Sequence, residues 1–300
     1  MKQSEQTGPR SLAAGVALSL ADLDAMGRQV PVLANLFPSG DRLMEDLHYA
    51  GGLPAVMNRI RPHLSLQELT VTGRVLAEVL QGRESLDDEV IRPLERPVSP
   101  HPALAVLRGN LAPEGAVIKP SAASPRYFRH RGRAIVFDNP EEMVRRCADP
   151  ELDCSVDSVL VLRNAGPVGA PGMPEWGGLP IPHKLLKQGV RDLVRISDAR
   201  MSGTHYGSCV LHVSPEAAIG GPLALVEEGD EIELDVEARL LQLLVADDEL
   251  ERRRERWKPA PSPYERGYVR LYQDHVTQAH EGCDFDFLQG QAATPEPTIY

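Results

Sequence analysis

The sequence predicts an α/β fold of the α+β kind, a β-barrel-like carboxy-terminal domain with helical cover preceded by a mainly helical segment. Three observations predict it. Nine strand-length apolar runs crowd into the stretch after residue 102. Helix-like periodicity dominates the first ninety residues. Between them lies RPLERPVSPHP (Arg92–Pro102), with four prolines and little apolar material, which reads as a boundary. The expected division is therefore 1–91, a linker at 92–102, and a β-rich domain over 103–300 that ends in a helix.

The elements follow in order. Ser19 and Asp22 have the spacing of a capping box and open a short helix through about Arg28, with Leu20, Leu23 and Met26 on its apolar face. VPVLANL (Val30–Leu36) is a continuous apolar run of strand length. Arg42–Tyr49, Pro54–Arg61 and Gly73–Leu80 read as helices, with Thr72 as N-cap of the last. Beyond the linker the strand-length runs are ALAVLRG, GAVIK, RAIVFDN, SVLVLRN, DLVRISD, SCVLHVS, PLALV, DEIELDV and RLLQLLV. Helices are expected near Glu141–Arg146, Pro182–Gln188 and Glu249–Trp257, the run Asp247–Arg256 forming an exposed charged face. The alternation Glu231-Ile232-Glu233-Leu234-Asp235-Val236 suits a sheet with one solvated face. KPAPSP (Lys258–Pro263) is a stiff connection into a final amphipathic helix over about Tyr264–His280.

Composition narrows the function classes. The chain has 300 residues with 32 Lys+Arg against 43 Asp+Glu, a formal charge of −11. That balance argues against nucleic acid or a membrane surface as partner. Aromatic residues are only 5%, so aliphatic side chains must fill the core. Proline, at 26, is well above the usual share of about 5%, and its scatter between apolar runs points to many turns. Cys147, Cys154, Cys209 and Cys283 are too few and too dispersed for a disulfide framework, and read as ordinary thiols of a reducing cytoplasm. No secretory signal or membrane-spanning run is read from the sequence.

Two segments break the pattern of core and turn. RNAGPVGAPGMPEWGG (Arg163–Gly178) directly follows a strand and gathers five glycines and three prolines around one carboxylate, Glu175. Glycine allows close backbone approach to a ligand, and loops at strand ends are where sites sit. A lone loop glutamate is more often simply solvated. ISDARMSGTHYGS (Ile196–Ser208) also follows a strand and crowds Asp198, Arg200, Ser202, Thr204, His205 and Tyr206 together. Ser202 could be a nucleophile, a base as its alkoxide, or a turn residue. Arg200 stands where a nucleophile elbow needs its first glycine, which disfavours a serine hydrolase. Glu45, Asp46 and His48 read as solvated charge rather than metal ligands. His212, within an apolar strand, is equally readable as a hydrogen-bonded core residue or a catalytic one.

Taken together these motifs resemble the dihydroxy-acid and phosphogluconate dehydratase family. The resemblance is carried by VPVLANLFPSG, LMEDLHYAGGLPAVM, RGNLAPEGAVIK, GRAIVFDN, VLVLRNAGPVGAPGMPE, SDARMSGTHYGS, VLHVSPEAAIGGPLALVEEGDEIELDV and GCDFDFL, in family order from about Ser19 to Gly290. RMSGTHYGSCVLHVSPEAA and GYVRLYQDHVTQAHEGCDFDFL look more like the sugar-acid (arabinonate or xylonate) dehydratases than the enzyme of branched-chain amino-acid synthesis.

The resemblance implies a hydro-lyase that converts a 2,3-dihydroxy acid such as a pentonate into a 2-keto-3-deoxy acid. It implies a [2Fe–2S] cluster acting on the departing 3-hydroxyl and a Mg²⁺ ion holding the substrate. Ser202 falls on the family's catalytic serine, which removes the C2 proton as its alkoxide. Glu175 falls on a Mg²⁺ ligand, and Thr204 on a substrate-binding hydroxyl. Members of the family are nearly twice as long, and their cluster cysteines and remaining Mg²⁺ ligands lie in amino-terminal motifs that this sequence does not contain. The expectation is a carboxy-terminal part of such an enzyme, with residues 1–91 a partial amino-terminal domain. Its partners would be a small sugar acid and either a complementing amino-terminal half or further copies of itself. A non-catalytic binding module is the competing expectation.

Overall fold

The capping box forms as its spacing predicts. In this computed structural model, which describes residues 10–11, 16–173, 175, 179–203 and 205–288, the Asp22 amide donates to Ser19 Oγ at 3.1 Å and the Ser19 amide donates back to Asp22 Oδ2 at 2.9 Å. A two-stranded pair, β1 (Arg10–Ser11) with β2 (Val16–Ala17), precedes the helix this box opens, α1 (Leu20–Gly27). Asp24 then docks α1 onto the rest of the molecule. It accepts from the Val106 amide at 3.1 Å and from Arg239 Nε at 3.0 Å.

Three short helices follow: α2 (Met44–Tyr49), α3 (Gly52–Arg59) and α4 (Leu76–Val79). Leu47 of α2 and Val56 of α3 pack against a small core of Ala50, Ala55, Val90 and Ile91. Two expectations fail here for local reasons. Val30–Leu36 makes no ladder, only isolated bridges from Val32 to Ser99, Ala34 to Ile91 and Leu36 to Arg42. Nor does Thr72 cap a helix. Gly73, at φ +75°, turns the chain back so that Leu69 bridges Val75, and Thr72 instead meets the Thr70 hydroxyl at 2.8 Å. Helix is left only at α4.

From residue 105 onward, eight strands close a barrel: β3 (Ala105–Gly109), β4 (Ala112–Ile118), β5 (Arg129–Phe137), β6 (Val159–Leu162), β7 (Arg195–Ser197), β8 (Cys209–Ser214), β9 (Glu231–Asp235) and β10 (Leu240–Leu243). The order around it is β10-β3-β4-β8-β7-β6-β5-β9. The pairs β5–β6, β6–β7, β7–β8 and β10–β3 are parallel, and the remaining four pairs are antiparallel. Sequence pattern and position agree. Every residue of β6 and β7 is buried, as suits strands covered on both faces. In β9, Ile232 and Leu234 point inward while Glu231 is exposed. Eight of the nine strand-length runs become barrel strands. The ninth, PLALV, becomes a 3₁₀ turn over Pro222–Leu225, where proline removes a ladder donor.

Helical cover comes from α5 (Pro140–Ala148), α6 (His183–Lys187) and α7 (Asp247–Arg256). α7 is not purely a solvated charged face. Arg253 is nearly buried and pairs with Asp230 at 2.5 Å while donating to the Leu225 carbonyl at 2.9 Å. The expected terminal helix shortens to α8 (Tyr268–His275), because Gly267 lies outside helical space at φ +87° and Val276 turns extended to bridge Phe285.

Candidate functional site

Adjacent parallel strands put the loops that follow them at the same end of a sheet. β6 and β7 are such a pair, so the glycine-rich loop after Leu162 and the loop after Ser197 emerge side by side. Asp198 fastens them together. It is fully buried, with Oδ1 accepting from the Ala165 amide and Oδ2 from the Ala217 amide, both at 2.9 Å. Burial pushes its carboxyl up to about 7.

Glu216 holds the glycine-rich loop from beneath. Its carboxylate accepts from the Val168 amide at 2.9 Å, the Gly169 amide at 2.9 Å and Gln278 Nε2 at 2.8 Å. Gly166 is obligatory here, since a Cβ at that position would lie 2.7 Å from Glu216 Oε2. Gln278 in turn accepts the Glu216 amide through Oε1 at 2.9 Å, which ties the segment after α8 to the barrel end.

The Ser202 loop is held at three points. At its start, the Met201 amide donates to His212 Nε2 at 2.9 Å. His212 can reach because it sits at φ +56° inside β8, where the register with β4 shifts between Gly115 and Val117. A non-glycine residue in left-handed conformation within a strand costs of order 1 kcal/mol or more and points to function. Burial and the Arg200 cation push His212 down to about 4, so it is the neutral ring that accepts. In the middle of the loop, Lys119 Nζ donates to the carbonyl oxygens of Ser202 and Gly203, each at 2.8 Å. At its end, the buried Arg195–Asp192 pair takes over. Arg195 donates to the Tyr206 carbonyl at 3.2 Å, and Asp192 accepts from the Ser208 amide at 2.8 Å and hydroxyl at 2.7 Å.

A cavity of about 360 Å³ opens against this loop. Ser202, Gly203, Lys119, His212 and His280 line it together with apolar side chains. Its His280 is oriented by a bond of 2.7 Å between Nδ1 and Ser214 Oγ.

Of the residues singled out from sequence, Ser202 lines this cavity. Glu175 is half-exposed and pairs with Arg200 at 2.9 Å, so it is tied to the Ser202 loop through the arginine two residues before the serine. Thr204 lies outside the described residues. The arrangement is not a hydrolase triad. Asp198 spends both oxygens on backbone amides, and His205 Nε2 is buried with no hydrogen-bond partner among the described residues. On α2, Asp46 accepts the Leu43 amide as an N-terminal cap, and Glu45 and His48 stay exposed. Sequence reasoning did not single out Lys119, Glu216 or His280. Lys119 had a visible signal, a lone cation closing the apolar run GAVIK just before Pro120.

The family model for dihydroxy-acid/6-phosphogluconate dehydratase C-terminal domains matches residues 89–283, more than half of the chain and all of the barrel. The chain belongs to this dehydratase family. The model for the family's N-terminal domain matches residues 11–79. A 6-deoxy-6-sulfo-D-gluconate dehydratase of Pseudomonas putida is 59% identical over 290 residues, covering 96% of this chain and 50% of that protein. An L-arabonate dehydratase of Azospirillum brasilense is 52% identical over 95% of this chain and 50% of its own length. A dihydroxy-acid dehydratase of Thermus thermophilus is 42% identical over 90% of this chain and 48% of its own length. The chain thus spans about half the length of the curated relatives it matches.

The dehydratase resemblance implies an iron–sulfur cluster and Mg²⁺, and the side chains can be tested against both. Cys147, Cys154 and Cys209 are buried in the barrel core, and burial pushes the Cys147 and Cys209 thiols up to about 12. Cluster ligands need the opposite environment, one that favours thiolate. These cysteines do not fit a cluster. For Mg²⁺, Glu175 is one suitable hard oxygen ligand. Among the described residues no group of three or more His, Cys, Asp and Glu side chains could hold a metal ion, so this chain's described residues do not by themselves make that site.

Proposed function

We propose that this chain is the carboxy-terminal part of a hydro-lyase that dehydrates a 2,3-dihydroxy sugar acid to a 2-keto-3-deoxy acid. The observation that carries this is the cavity that gathers Ser202 and the Lys119 cation on a loop braced at three points. Family membership supports the reaction class. Relatives named for sugar acids reach 49–59% identity, against 42–44% for those named dihydroxy-acid dehydratase, which favours a sugar acid over the branched-chain substrate.

Ser202 acts as the base at C2 of the acid. A serine hydroxyl ionises only beside positive charge, and the Lys119 ammonium at the carbonyls of the same turn supplies some of it. His212, neutral, keeps the Met201 amide fixed and with it the direction of the serine. Glu175 offers one carboxylate to Mg²⁺, released from Arg200, and Thr204 offers a hydroxyl to the substrate. Departure of the 3-hydroxyl is assigned to no residue of this chain, since its cysteines do not fit the cluster that performs it in the family.

The domain division at 92–102 is part of the same proposal. The two family models meet between residues 79 and 89, and the barrel begins at Ala105. Phe37, Leu43, Met44, Tyr49 and Leu53 are exposed apolar side chains of the first segment, which suits a covering partner: an amino-terminal half or a second copy. Sedimentation of the chain should show self-association, and a clean monomer at high concentration contradicts the second-copy reading. No helix among the described residues is long and apolar enough to cross a membrane; a cytoplasmic location is proposed with the function. The deciding experiment is formation of 2-keto acid from pentonates and hexonates by this chain paired with a relative's amino-terminal half. Turnover supports the reading, and inert sugar acids with active turnover of a branched-chain dihydroxy acid would replace it.

A further inference from the structure

Three of the most buried arginines among the described residues are matched with carboxylates. Arg195 pairs with Asp192, Arg239 with Asp24 and Arg253 with Asp230. Lys119, which faces the cavity, is not matched in this way. It is partly buried at the wall of the cavity, and no carboxylate lies within ion-pair distance among the described residues. Its two hydrogen bonds go to the backbone carbonyls of Ser202 and Gly203. An ammonium has three donors, so one is left without an acceptor among the described residues. Carbonyl dipoles orient a cation but leave its charge, and a desolvated charge without a counter-ion is costly. The cost shows in the ionisation of Lys119, which burial pulls below the ordinary lysine range.

The rest of the cavity has matching chemistry. No aspartate or glutamate lines it. His212 is neutral and already occupied by the Met201 amide. His280 is held through Nδ1 by Ser214, which leaves its other ring nitrogen for a ligand hydroxyl. Leu20, Leu104 and Val117 supply apolar wall. A volume of about 360 Å³ is at the small end of ligand sites.

We infer that Lys119 is an anion anchor, holding the acid group of a small hydroxylated organic acid on its third N–H while its other two fix the turn that carries Ser202. The inference rests on reading this cavity as the substrate site. It makes one side chain serve two ends, placing the ligand and setting the serine beside it. The charge of the acid supplies the counter-ion that the fold withholds.

The test is binding, read without turnover. D-gluconate and its neutral counterpart D-glucitol are titrated into the 300-residue chain, followed by NMR at the Gly203 amide and the His280 ring. Gluconate should shift both saturably, and glucitol at the same concentration should shift neither. Lys119→Met should weaken gluconate about tenfold or more, as loss of a charge-assisted bond does, while Lys119→Arg keeps the preference for the acid over the alcohol. Glucitol binding as tightly as gluconate would overturn the inference, and that comparison needs no variant to fold. A folded Lys119→Met chain that binds gluconate like the parent would also overturn it. Gluconate bound by a chain whose paired assembly dehydrates nothing would sink the dehydratase reading alone. Active dehydration with no gluconate preference would sink the anchor alone.

Discussion

His212 Nε2 accepts the Met201 amide at 2.9 Å from within a barrel strand, and it does so in a left-handed backbone conformation. The strand is distorted so that one imidazole can brace the turn before Ser202. Replacing the ring with phenylalanine keeps the bulk and leaves the amide without its acceptor. His212→Phe should lose about 1–3 kcal/mol in chemical denaturation, the penalty for an unsatisfied partly buried donor. His212→Gln, whose amide oxygen can still accept, should lose less. Equal losses in the two variants would show that the hydrogen bond is not what holds the turn.

The same ring, with His205, gives the protein a signature in acid. Burial pushes both imidazoles from 6.5 to about 4, helped by Arg195 and Lys119 at His205 and by Arg200 at His212. Between those values the unfolded chain holds more protons than the folded one. Their contribution to stability is therefore whole above 6.5 and falls as the pH drops toward 4. Stability of the parent minus that of a His205→Gln, His212→Gln double variant should shrink on going from about pH 7 to about pH 4.5. A difference that stays constant across that range contradicts the assignment.

Glu216 clasps the glycine-rich loop that leads to Glu175. Removing its carboxylate frees the Val168 and Gly169 amides and Gln278 together. Glu216→Ala should lose about 2–3 kcal/mol, the scale of hydrogen bonds to a charged group, and amide hydrogen exchange at Val168 and Gly169 should quicken. Unchanged exchange at those two positions would place the loop's support elsewhere.

Much of this was legible in the sequence where local rules and tertiary packing agree. Ser19 and Asp22 cap their helix because a capping box needs nothing beyond its own first turn. Ile232 and Leu234 alternate with acids because one face of β9 is wet. Where long-range contacts decide, the reading fell short. Gly73 folds a turn where periodicity suggested helix, and Arg253 is drawn inward by Asp230, a residue outside its helix. The candidate site divides the same way. Ser202 and Glu175 stand in loops that look unusual along the chain. Lys119 directly follows β4, 83 positions before Ser202, and only the pairing of β4 with β8 brings it beside the serine's loop.

The cysteines make a prediction about cofactor chemistry. Burial raises Cys147 and Cys209 to about 12 and Cys283 to about 11. A thiol reagent should leave Cys147, Cys154 and Cys209 unmodified in the folded chain and reach all four cysteines only after unfolding. Incubation with iron and sulfide should give the chain no stable cluster absorbance. Visible absorbance that disappears on changing any one of these cysteines to serine would contradict the fit argued from their burial.

The central claim is that Ser202, on its braced turn, removes the proton from a sugar acid. It is tested most directly by the rate of 2-keto acid formation in the paired assembly, parent against Ser202→Ala. Loss of a positioned general base should slow turnover by about 10²–10⁴-fold while gluconate still binds the variant chain. Turnover by Ser202→Ala at the parent rate would contradict the account.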